Sequence, residues 1–205
     1  MANGSDDSVR EDIAFIRRAV EQGRGYAGSC GLDMLIWGVA VAAGYLGTYA
    51  TVKGWWRIAP NLLWAVCIVL PWLYSLRASL RRFLSGAQPG TARPPIRQAL
   101  QMLWFGCGIF LSTFAVAVIL AGDMRQGWFN AVSAGILGIA FFASSYLCNL
   151  TWMRVVAIGW WIAALAVYAL RHHVEVLLLS SAFMLVLLAL PGFVLWRRQP
   201  TSART

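Results

Sequence analysis

The stretch WFNAVSAGILGIAFFASSYLCNLTWMRVVAIGWWIAALAVYAL, residues 128–170, decides how the chain is threaded. It is apolar almost throughout and about twice as long as the roughly 20 residues that one helical crossing of a bilayer takes. Near its middle stands Asn-Leu-Thr, residues 149–151. Asn149 suits a turn, Thr151 suits an N-cap, and Arg154 marks a water interface. The stretch therefore reads as two spans, 128–148 and 152–170, joined by a tight corner.

The rest of the chain fits that reading. Of 205 residues, 60% are hydrophobic and 12% charged, and eleven are tryptophan; soluble domains run to roughly 45–50% and about 25%. A water-soluble fold of this size cannot hide so much apolar surface. Four further apolar runs, 34–52, 58–76, 100–121 and 174–196, complete six predicted spans. The predicted fold is all-α and integral to the membrane, a six-transmembrane-helix bundle. A cytoplasmic segment, 1–30, precedes the membrane domain, 31–198, and a short tail, 199–205, follows it. No cleavable signal peptide is predicted, because a mixed-charge segment precedes the first apolar run and no small-residue cleavage pattern follows it.

Basic residues set the orientation. Arg10, Arg17, Arg18, Arg24, Arg77, Arg81, Arg82, Arg93, Arg97, Arg154, Arg197, Arg198 and Arg204 fall on one side, against Lys53, Arg57, Arg125 and Arg171 on the other. By the positive-inside rule both termini are cytoplasmic. The net charge of +9 is thus a topology signal, and no nucleic-acid partner is expected, since no basic, aromatic-lined soluble face exists. Between spans two and three, Leu76, Leu80, Phe83 and Leu84 continue the second helix along the inner surface. SGAQPGTARPP then forms a proline-stiffened linker.

DDSVREDIAFIRRAVEQGR, residues 6–24, reads as an amphipathic helix over about 9–22. Ser8 with Glu11 forms a capping box, and Val9, Ile13, Ile16 and Val20 make one aliphatic stripe. Four basic and five acidic residues lie within 1–30, a net of −1, whereas lipid-binding helices are rich in Lys and Arg. The stripe would dock on its own bundle, on a partner protein or second subunit (a homo-oligomer), or on lipid.

No charged side chain lies in the middle of a span, which weakens a proton-coupled carrier. Small residues repeat at helical spacing as Gly38, Ala42, Ala43 and Gly47 in span one, and as Ala131, Ala134, Gly135 and Gly138 in span four. Such faces let helices approach closely, and the leucine-rich sixth span is expected to face mainly lipid. Pro71 and Pro191 free backbone carbonyls inside their spans. They close two hairpins of similar pattern, Gly38–Pro71 and Gly159–Pro191. His172, His173 and Glu175 in one outer loop, with Asp123 in another, are the candidate metal ligands, but adjacent histidines diverge on a regular backbone. No metal, cofactor or catalytic residue is predicted.

DIAFIRRAVEQGR, followed by GLDMLIWGVAVAAGYLG, resembles the start of a loose group of uncharacterised small multi-pass proteins of proteobacterial inner membranes. These begin with an Asp-Ile-Ala-Phe-like helix and continue into a Trp-Gly first span. The resemblance covers about the first 50 residues and implies a bacterial cytoplasmic membrane location. The expected function is a non-enzymatic accessory or regulatory membrane protein that docks a partner through its N-terminal helix. The alternatives are a small-solute transporter or channel, and a membrane enzyme or metal site at the outer face.

Overall fold

The computed structural model describes residues 31–84, 95–121 and 128–197. The predicted N-terminal helix, with Val9, Ile13, Ile16 and Val20, lies outside them, as does Asp123. Among the described residues the chain forms six helices and no strand: α1 (Gly31–Val52), α2 (Pro60–Leu84), α3 (Pro95–Leu120), α4 (Trp128–Leu147), α5 (Trp152–Ala169) and α6 (Val176–Arg197). Within α6, a π-helical segment, Leu185–Ala189, joins two α-helical parts, Val176–Met184 and Leu190–Arg197.

Five of these, all but α2, are long and apolar enough to cross a membrane, which marks a multi-pass membrane protein. Helix α2 differs because Asn61, Pro71 and a basic final stretch, Arg77, Arg81 and Arg82, make it less apolar than the helices after it. It continues unbroken past Leu76 to Leu84, as the amphipathic pattern predicts. Helix α3 starts at Pro95 rather than near Leu100, because proline's fixed φ suits a first helical turn.

Successive helices alternate in direction. Trp37 of α1 meets Trp72 of α2 edge to face, and Trp104 of α3 meets Phe141 of α4. The corner after α4 is a Schellman motif. Asn149 takes a left-handed φ of 51°, the Leu150 N–H donates to the Ser145 carbonyl at 2.9 Å, and the Asn149 N–H donates to Tyr146 at 3.2 Å. Asparagine tolerates this conformation better than branched residues. Thr151 stands at the N-cap of α5, but its backbone is already helical and its hydroxyl makes no capping bond. The turn is therefore held from the α4 side.

Helices α1, α4, α5 and α6 enclose the core, with Trp160 and Phe141 its largest fully buried side chains. Helix α3 lies at the edge, with 6% of its span buried against 44% for α4. The expectation that the sixth span faces mainly lipid is corrected: Val176, Ser180, Ser181, Met184, Leu188, Ala189, Pro191, Gly192 and Leu195 are all buried. Its small residues are the reason. A Cβ on Gly38 would lie 2.7 Å from the Ala189 backbone nitrogen, and one on Gly192 would lie 2.6 Å from the Leu35 nitrogen. Backbone meets backbone along the α1–α6 seam.

That contact generates a sharp contrast. Gly38→Val should destabilise the fold in micelles by about 1–3 kcal/mol, the usual cost of overpacking a tight site. Gly135→Ala, where a Cβ meets nothing within 4 Å, should be neutral or gain up to about 1 kcal/mol of helix propensity. Equal melting shifts for the two would contradict the seam.

Candidate functional site

Polar side chains in an apolar bundle must find partners, because no water competes for them there. They do so mainly at helix crossings. The Trp104 indole N–H donates to Ser144 Oγ at 3.1 Å, joining α3 to α4. The Trp64 indole donates to Thr48 Oγ1 at 3.0 Å, and Thr48 in turn donates to the Gly44 carbonyl at 2.8 Å, joining α2 to α1. Ser181 Oγ donates to the Ala42 carbonyl at 3.2 Å, across α1 and α6. Ser133 and Ser145 bond back to carbonyls of their own helix.

Pro191 has a specific consequence. Proline has no N–H, so the carbonyl four residues earlier, Leu187, loses its regular helical donor. Leu187 lies inside the π-helical segment, and its oxygen accepts instead from the Trp160 indole at 3.2 Å. Trp160 is 1% exposed, so this is a buried, directional bond between α5 and α6. Pro71, by contrast, sits in a helix that stays α-helical throughout. The two similar hairpins therefore differ in backbone.

Between α1, α4, α5 and α6 lies a cavity of about 10 Å³, lined by Tyr45, Asn130, Trp160, Ser180, Phe183 and Met184 among others. Tyr45, 6% exposed, donates its hydroxyl to Asn130 Oδ1 at 3.0 Å. Its ring packs edge to face on Trp64, with centroids 5.1 Å apart. The hydroxyls of span six and Asn130 are visible in the sequence as intramembrane polar groups. Tyr45 carries no such signal, because tyrosine in a span reads as an interfacial anchor.

The small residues of spans one and four separate into distinct environments. Gly38 faces Ala189, Gly47 faces Leu63 and Trp56, and Gly138 faces the Trp161 indole. Ala42 and Ala134 are buried, Ala131 is half-buried, and Ala43 is exposed. Gly135 opens onto free space.

At the end of the bundle that carries the α1–α2 and α5–α6 connections, His172, His173 and Glu175 are exposed. Glu175 Oε1 lies 3.7 Å from Lys53 Nζ. A hydrogen bond from its own backbone, aided by Lys53 and His173 and opposed by desolvation, holds the Glu175 carboxyl below its ordinary range. Among the described residues no three His, Cys, Asp or Glu side chains gather as metal ligands.

The Trp160–Leu187 bond is testable by a double-mutant cycle in micelles. Trp160→Phe keeps a ring but strands the Leu187 carbonyl, at a cost of about 1–3 kcal/mol. Pro191→Ala restores a backbone donor for that oxygen, so the penalty of Trp160→Phe should shrink in the Pro191→Ala background. Strict additivity of the two changes would show that the indole and the proline are unrelated.

No protein family, curated protein or solved structure matches the chain.

Proposed function

We propose that the chain is a six-span, non-enzymatic accessory protein of a bacterial cytoplasmic membrane that docks a partner protein or second subunit through its N-terminal helix. The observation that carries this reading is the use made of the core's polar groups. Ser144, Ser181, Thr48, Trp64, Trp104 and Trp160 all brace one helix against another, as expected of a rigid scaffold. The cavity between α1, α4, α5 and α6 has room for a molecule the size of water, which favours a scaffold over a solute carrier. Helix α2 acts as the sixth span: it pairs with α1 through Leu63, Trp64 and Trp72. An even number of crossings gathers the arginines on the cytoplasmic side.

The charge-balanced stripe of Val9, Ile13, Ile16 and Val20 supplies the docking surface, in the manner of an amphipathic helix laid into an apolar groove. Crosslinking and pull-down from native membranes should recover a partner or second copy with the full chain and lose it on deletion of residues 1–25. Ile13→Asp with Ile16→Asp should lose it while leaving the melting of the bundle unchanged. Identical recovery from all three proteins would end this reading. Orientation is checked separately: Cys30 should react with a membrane-impermeant thiol reagent only after cells are opened, and labelling of intact cells would reverse the topology.

A further inference from the structure

Ser180 and Ser181 are adjacent and both buried, at 5% and 2% exposure, yet they are treated differently. Ser181 donates across to α1. Among the described residues the Ser180 hydroxyl bonds to no protein group, neither to a carbonyl of its own helix, as Ser133 and Ser145 do, nor to a neighbour. An unpaired hydroxyl in such a place costs about 1–3 kcal/mol, and a serine can relieve this by rotating onto its own helix. It lines the cavity instead, together with Tyr45 and Asn130.

The cavity suits one ligand. Its volume of about 10 Å³ is that of a single water-sized probe, and a buried water needs two to four polar partners. Three are present. Ser180 Oγ can donate or accept, and the Tyr45 oxygen retains acceptor capacity while its proton goes to Asn130. The Asn130 amide nitrogen adds donors. The remaining wall, Ala134, Trp160, Ala163, Val167, Phe183 and Met184, is apolar and offers no competing polar partner.

We propose that Ser180, Tyr45 and Asn130 form a binding site for one ordered water molecule, which bridges α6, α1 and α4. Its oxygen accepts from one of the two donors and its protons satisfy the remaining acceptors, so the hydroxyl of Ser180 is paired through water rather than through protein.

Radiolytic hydroxyl labelling of the full chain in nanodiscs, read by mass spectrometry, tests this, because a bound water yields its radical next to its neighbours. Met184 lines the cavity, whereas Met153 is buried in the core at 1% exposure and serves as the dry reference. Met184 should be oxidised several-fold faster than Met153, and the excess should disappear in Ser180→Ala. Equal rates in the unaltered protein, or an excess that persists unchanged in Ser180→Ala, would overturn the proposal.

Discussion

The close approach of α1 and α6 is the constraint on which the bundle depends. In a bilayer, one helix gains little by covering another's leucines, because lipid is equally apolar. Attraction must come from backbone proximity and from polar bonds that proximity allows. A Cβ on Gly31 would lie 2.6 Å from both the Gly192 oxygen and the Trp196 nitrogen, so nothing larger than glycine fits there. That distance lets Ser181 reach the Ala42 carbonyl. With the first and last described helices clamped, α4 and α5 are held against them, and Lys53 and Glu175 meet at one end. Helices α2 and α3 flank this unit, and their exposed faces, such as Leu62, Val66, Val69 and Leu73 on α2, have the apolar character that lipid accepts.

Aromatic N–H groups are the second recurrent device. A tryptophan in an apolar interior needs an acceptor for its indole, and here the acceptors are a serine, a threonine and a carbonyl stripped of its helical partner by proline. Each bond fixes ring orientation as well as helix separation. Pro191 is thus less a defect in α6 than the source of an acceptor that α5 uses.

Helix positions were largely legible in the sequence, and helix environments were not. The pair 128–148 and 152–170 was readable to within a residue because Trp128 and Asn149 mark its limits by chemistry that acts locally. The environment of α6 is hidden in the sequence because its leucines outnumber its small residues. Burial in a membrane follows the small residues, Ser180, Ser181, Ala189 and Gly192, rather than hydropathy. The same limit explains why Gly38 and Gly135 look equivalent in sequence but differ in space: only the partner helix determines whether a missing Cβ is needed. The π-helical segment left one trace, the carbonyl four residues before Pro191, but no sequence signal names Trp160 as its donor.

The Asn149 corner also bears on how the protein enters the membrane. With only Cys148, Asn149, Leu150 and Thr151 outside the two helices, α4 and α5 have too little connecting chain to sit in separate places during synthesis. Ser145 and Tyr146 close the turn from within α4, and Arg154 packs over the Tyr146 ring at 4.3 Å across the corner. The pair therefore forms a single helical hairpin, whose two helices are bound to lie side by side. Its free ends, Trp128 and Ala169, fall on the same side of the bundle.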